Sequence, residues 1–345
     1  MKMNTMMNQA CNLSSGTVIK GKWNGETYTI IRLLGQGATG NVYLADSKKG
    51  AVAIKLSENS MAITSEVNVL KHFSKVQGSS LGPSLLDVDD WKVDQQNILP
   101  FYVMEYVQGN NFLEFIRNRG IEWVDVLMLQ LLTNLDQLHQ QGWVFGDLKP
   151  DNLLITGPPP KIRCIDVGGT TIQGRSIKEF TEFFDRGYWG LGTRKAEPSY
   201  DLFSAAMIMI NAAYPKRFTK KAELEGSAQL FEVIQQHPFL LKHNFVLQKA
   251  LLGKYKSASE MKADYVHLLS SETKKERPRI KSYKTQKPSQ HKTQSAKKSQ
   301  PQVNKTRRQA KSAKKRKKTS GILETIVILV GVFIIYSLYV FHYLM

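Results

Sequence analysis

Gly146-Asp147-Leu148-Lys149-Pro150-Asp151-Asn152-Leu153-Leu154 is the stretch on which the reading of this chain turns. A carboxylate, a lysine two residues on and an amide three beyond that form a compact phosphoryl-transfer set. Asp147 can accept the proton of a hydroxyl, or aim that hydroxyl for in-line attack. Lys149 can offset negative charge as it develops, and Asn152 can hold a divalent cation. A second cation ligand, Asp166, follows in Asp166-Val167-Gly168 after the strand-like residues 162–165.

Working towards the N-terminus, Gly35-Gln36-Gly37-Ala38-Thr39-Gly40-Asn41-Val42 lies between two strand-like stretches and reads as a glycine-rich hairpin. Without Cβ atoms in the way, its backbone can come close to phosphate oxygens. Dinucleotide-binding folds use a similar spacing, but there the glycines open a helix. Here the sequence after Asn41, VYLAD, reads as strand. Ten residues on, Val52-Ala53-Ile54-Lys55 supplies a lysine on the next strand. An acid on a nearby helix would orient it, and Glu66 fits, after an abbreviated connection. Each residue alone is an ordinary surface charge; their order and spacing make chance improbable.

Together these motifs make residues 28 to about 268 resemble the eukaryotic-like (Hanks-type) Ser/Thr protein kinases. The resemblance implies an α+β, bilobal fold with a β-rich N-lobe and a helical C-lobe, ATP as donor, Mg²⁺ or Mn²⁺ as cofactor, and protein substrates. It also implies that residues 101–107 grip adenine, with Met104 as gatekeeper and Glu105 and Val107 offering backbone hydrogen bonds. Asp201 should start the long C-lobe helix and brace the catalytic loop. Lys254-Tyr255-Lys256-Ser257-Ala258-Ser259-Glu260-Met261 is similar to the closing segment of bacterial members.

The pattern departs in places. Phe145-Gly146-Asp147 lacks the arginine that usually pairs with a phosphate on the activation segment, so loop phosphorylation should not control this enzyme in the usual way. Thr170, Thr171, Ser176 and Thr181 remain candidate autophosphorylation sites. Val167 replaces a phenylalanine. The end of the activation segment is ambiguous between Ala196-Glu197-Pro198 and the region of Phe184-Asp185-Arg186, with spacing favouring the latter. Two other readings share the fold: a small-molecule kinase resembling aminoglycoside phosphotransferases, and a non-catalytic pseudokinase scaffold. Lys149 argues against the first and the complete set of transfer residues against the second.

Composition divides the remaining chain. The 345 residues carry a formal charge of +19, but residues 274–318 hold 19 lysines and arginines against one acid, Glu276, leaving the other residues close to neutral. Hydrophobic content of 42% is ample for a packed core. Residues 28–34, 41–46, 51–55 and 101–105 read as strands; 124–140, 201–213, 227–236 and 244–252 read as helices. Residues 1–27 are expected to be a loosely ordered lead-in without a secretory signal, 28–270 the kinase domain and 271–319 a disordered basic linker.

Residues 322–344 form an almost uniformly apolar stretch, long enough to span a bilayer as a helix. The flanking basic block places its N-terminal side in the cytoplasm. The expectation is a single-pass protein of the cell membrane with a cytoplasmic kinase domain. This arrangement is similar to that of membrane-anchored kinases of spore-forming bacteria. The basic tract reads as a solvated tether, as a segment drawn at 311–318 to anionic lipid headgroups, or as a binder of DNA or another polyanion, the last being the expectation, with Tyr283 its lone aromatic. Clustering on such a polyanion would favour self-association and trans-autophosphorylation. Two distant cysteines, Cys11 and Cys164, show no metal-ligand spacing and read as reduced thiols.

Overall fold

The structure is a computed structural model that describes residues 11–37, 39–74 and 82–276. A six-stranded sheet comes first: β1 (Val18–Lys20), β2 (Thr27–Gly37), β3 (Gly40–Ser47), β4 (Gly50–Leu56), then β5 (Leu85–Lys92) and β6 (Ile98–Glu105), in spatial order β1-β2-β3-β4-β6-β5. Its pairings are antiparallel. Helix α1 (Ser60–Phe73) connects β4 to the loop before β5. Strand β4 is buried from Val52 to Leu56, and its side chains alternate in destination. Val52, Ile54 and Leu56 enter the N-lobe core with Tyr28, Ile30, Tyr43 and Phe101. Ala53 and Lys55 take the opposite face, towards the cleft.

Helix α1 starts where Asn59 accepts hydrogen bonds from the Met61 and Ala62 amides, both at 3.1 Å. Ile63, Glu66, Val67, Leu70 and Phe73 share its buried face at helical spacing. Glu66 is thus a carboxylate on an apolar stripe, and it needs a partner.

Residues 11–27 are not the loose lead-in expected from their polarity. β1 pairs with β2 through Val18↔Thr29, Ile19↔Tyr28 and Lys20↔Thr27, while Cys11 and Leu13 pack against the N-lobe core. The exposed and buried residues of β1 alternate over three positions only, too few for periodicity to register.

The C-lobe is helical around α5 (Pro198–Ala213), which is buried without a break from Tyr200 to Ala212. Before it come β7 (Asn110–Asn111), α2 (Phe112–Arg119), α3 (Trp123–Gln140), β8 (Trp143–Val144), β9 (Leu153–Thr156), β10 (Lys161–Cys164), β11 (Thr171–Ile172) and α4 (Arg186–Trp189); α6 (Gly226–Gln235), α7 (Pro238–Lys242), α8 (Asn244–Leu251) and α9 (Ala258–Glu276) follow. Strands β7, β9 and β10 form a small antiparallel sheet beneath the cleft. Helix α9 continues to Glu276, into the stretch expected to be linker. Its SSETKKE ending contains no helix breaker, and the first proline lies beyond, at Pro278.

Among the described residues no helix is long and apolar enough to cross a membrane. The expected span at 322–344 and the basic tract from residue 277 onward lie outside those residues, as does Ala38 of the glycine-rich loop.

Candidate active site

Lys55 and Glu66 meet above the cleft, Nζ to Oε1 at 2.7 Å, both almost fully buried. Two further side chains complete this cluster. The hydroxyl of Tyr102, on β6, donates to Glu66 Oε2 at 2.7 Å, and Lys55 Nζ donates to Thr39 Oγ1 at 3.0 Å. Burial, then the neighbouring Glu66 charge, pushes the Tyr102 phenol well above its ordinary pKa, so it stays a donor. Motif reading missed Tyr102. The signal available was its register opposite Lys55 across β4 and β6.

Below the cleft, Asp147 follows Gly146, whose φ of +85° turns the chain into the loop. Lys149 Nζ donates to Asp147 Oδ2 at 2.5 Å, and the Thr181 hydroxyl donates to Asp147 Oδ1 at 3.0 Å while accepting from Lys149 at 3.1 Å. Asn152 donates its amide to the Asp147 carbonyl at 2.9 Å, so its oxygen is the group with lone pairs to offer a cation. Asp166 is exposed and accepts from Gly168 N at 2.9 Å. Half-buried Glu179 comes close, and its carboxyl is raised by burial first and by Asp166 next.

The loop hangs from α5. Asp201, fully buried, accepts from the Phe145 and Gly146 amides at 2.8 and 2.9 Å and contacts His139 Nε2 at 2.8 Å. His139, at the end of α3, carried no motif signal. The segment after the site is fixed by Asp185, also fully buried, which binds Arg194, the Tyr200 hydroxyl and the Gly187 and Tyr188 amides. Asp185 lies in the region that spacing favoured for the segment's end, whereas Glu197 is half-exposed and pairs with Lys195 at 3.3 Å. Thr170 and Thr171 are each 1% exposed, and Thr171 is hydrogen-bonded to Gly169 O. Of the other candidate autophosphorylation sites, Ser176 is exposed and Thr181 is partly buried against Asp147.

A cleft of about 380 Å³ runs between the lobes. Leu34, Val42, Ala53, Met104, Leu154 and Ile165 supply an apolar end, and Lys55, Asn152 and Asp166 a polar one. Gly35, Glu105 and Val107 also line it. The Glu105 amide donates to Ser84 O at 2.9 Å, so any bond it gives a ligand must come from its carbonyl. Its carboxylate is held below the ordinary range by Arg163, which it meets at 2.9 Å, despite partial burial.

Of the remaining expected residues, Gln36, Gly37 and Gly40 build the hairpin, with Gln36 opposite Asn41 and Gly37 opposite Gly40. Asn41 turns away from the cleft into the N-lobe. Asp147 and Lys149 stand beside the cleft, joined to it through Asn152.

Adenine would suit the apolar end and phosphates the polar one. Among the described residues no group of three or more His, Cys, Asp or Glu is placed to hold a metal. Asn152 and Asp166 offer two hard oxygen donors, a set that suits Mg²⁺ sharing its remaining positions with phosphates and water.

A two-lobed fold with a buried Lys–Glu pair above and an Asp/Lys/Asn set below defines a phosphotransferase of the protein-kinase type. The protein kinase domain family matches residues 28–288. Serine/threonine-protein kinase YabT of Bacillus subtilis (strain 168) is 50% identical over 336 residues, 97% of each chain. Serine/threonine-protein kinase A of Synechocystis is 32% identical over 176 residues, 46% of this chain and 33% of that one. The PknI kinase domain of Mycobacterium tuberculosis shares the fold, with a TM-score of 0.51 at 19% identity over 74% of this chain and all of that one. The chain belongs to the protein kinase family and is a serine/threonine protein kinase.

Proposed function

We propose that this kinase takes ATP with Mg²⁺ (or Mn²⁺) in the cleft and transfers the terminal phosphate to serine and threonine hydroxyls of protein substrates. The observation that carries this reading is the physical connection of the two clusters' parts: Lys55 paired with Glu66, and Asp147 joined to both Lys149 and Asn152. Lys55, fixed by Glu66, which Tyr102 holds in turn, binds donor phosphates. Asp147 orients the acceptor hydroxyl and takes its proton. Lys149 neutralises charge on the moving group. When bound, the divalent cation supplies charge neutralisation on the phosphates, with Asn152 and Asp166 as its protein ligands. The Thr181 hydroxyl donates to Asp147 Oδ1 at 3.0 Å, the kind of contact an acceptor hydroxyl would make with that carboxylate.

Residues 322–344 anchor the chain once in the cell membrane, with the kinase domain in the cytoplasm. Residues 274–318 attract DNA or another polyanion and gather chains for trans-autophosphorylation. The supporting observations are the net charge of +18 on that tract and the near-neutrality of the rest.

The transfer reading is tested by Lys55→Ala and Asp147→Asn in the full chain, assayed with labelled ATP on a generic basic substrate. Each should lose at least about 100-fold in rate. Full activity in either would overturn the assignment.

A further inference from the structure

Asn41 follows the turn of the glycine-rich hairpin, yet its side chain is 1% exposed and makes its bond behind the loop. Its Nδ2 donates to the carbonyl of Cys11 at 2.9 Å. Tyr43, two residues along β3 and therefore on the same face, donates its hydroxyl to that carbonyl at 2.6 Å and accepts from the Leu13 amide at 2.9 Å. Cys11 itself is buried in the N-lobe core. Residues 11–13 are thus tied to β3 at three points immediately behind the loop.

The composition of this contact argues for more than packing. Asn41 Oδ1 is buried with no hydrogen-bond partner among the described residues. An unpaired buried amide oxygen is costly, so a residue that only filled this space would be better apolar. The amide earns its place through the bond it donates.

That bond acts close to the loop. Asn41 pairs with Gln36 across the hairpin and with Leu56 on β4. Gly40 packs so tightly that a Cβ would lie 2.2 Å from the Leu56 carbonyl oxygen. On the cleft side, the Thr39 hydroxyl accepts from Lys55. The hairpin is held from behind by residues 11–13 and from the front by the phosphate-binding lysine.

We propose that residues 11–13 form a strap that positions the glycine-rich loop for the phosphates of the nucleotide, with Asn41 and Tyr43 as its positioning residues. This rests on the reading that the loop cradles ATP phosphates. The strap sets the loop's height over the cleft; at the adenine end it bears on Val42 and Leu34 of the same hairpin, while Ala53, Met104, Leu154 and Ile165 come from outside it. Its loss weakens recognition of phosphates more than recognition of the base.

The test compares ATP with adenosine, which lacks phosphates, by calorimetric titration of the full chain in mild detergent. Asn41→Ala removes the donated amide. Tyr43→Phe keeps the ring in the core and removes only the hydroxyl, so it serves where the first variant folds poorly. Each variant should bind ATP about three- to ten-fold more weakly, with adenosine affinity changed by less than about two-fold. In turnover, KM for ATP should rise while kcat is retained. Equal losses for both ligands, or no loss of ATP affinity, would overturn the strap. A wild-type chain that bound ATP no better than adenosine would overturn the phosphate-loop reading itself, and the strap with it.

Discussion

Gly146 stands where the Hanks-type pattern has an arginine, and its surroundings leave no room for a side chain. Its φ is +85°, and a Cβ there would lie 2.5 Å from the Gly169 carbonyl oxygen. Gly169 is confined in turn, since a Cβ at that position would come within 2.9 Å of Asp147 Cβ. The two glycines let the catalytic loop and the segment after Asp166 close on each other. Gly146→Ala should therefore cost about 1–3 kcal/mol of stability, read by urea unfolding, and should lower activity by displacing Asp147. A neutral effect on both would show that the close approach is dispensable. The missing arginine was legible in the sequence; its reason was not, because it depends on backbone atoms 23 residues apart. Burial of Thr170 and Thr171 was hidden for the same cause. The grouping of Lys55 with Glu66, of Asp147 with Lys149 and Asn152, and of Asn152 with Asp166 at the cleft follows the sequence motifs, because phosphoryl transfer asks for these residue types at near-fixed spacing.

Strand β5 shows how an element escapes pattern reading. Its sequence, LLDVDDWK, carries three acids and looks like a loop. Asp89 is nevertheless buried, accepting from the Trp23, Asn24 and Asp90 amides at 2.7–2.9 Å, so a turn more than sixty residues away satisfies it. Helices α3, α5 and α8 were legible from their periodicity, whereas the docking of α9 depends on partners far off in sequence. Asp125, in the first turn of α3, accepts from the Tyr265 hydroxyl of α9 at 2.7 Å and lies 2.8 Å from the ring of buried His243. Burial alone would raise its carboxyl pKa, but His243 and Tyr265, with Lys242 nearby, hold it below the ordinary 3.8. A depressed folded-state pKa stabilises above the unfolded value, and that contribution is lost as pH falls through the folded one. Asp125→Asn should cost about 1–3 kcal/mol at neutral pH, with the gap to wild type narrowing below about pH 4. Thermal unfolding from pH 7 to pH 3 measures this; a gap constant over that range would contradict it.

At the scale of the whole molecule, charge is segregated: nearly all of the +19 lies in residues 274–318. If that tract receives a polyanion, duplex DNA should stimulate autophosphorylation at about 50 mM salt, and the effect should fade by about 200 mM as counterion release weakens binding. Absence of stimulation at the lower salt, or stimulation indifferent to salt, would rule the mechanism out. Architecture was legible here because the kinase motifs occur in order along one chain. The fixed N-terminal residues were not, since hydrogen bonds to the Cys11 carbonyl leave no trace in composition. One feature of the C-lobe reaches further. Asp201 belongs to α5, buried from Tyr200 to Ala212, and also carries the catalytic loop on two backbone hydrogen bonds. Core and chemistry share a single rod, so a substitution that tilts α5 displaces the catalytic loop together with the packing around it.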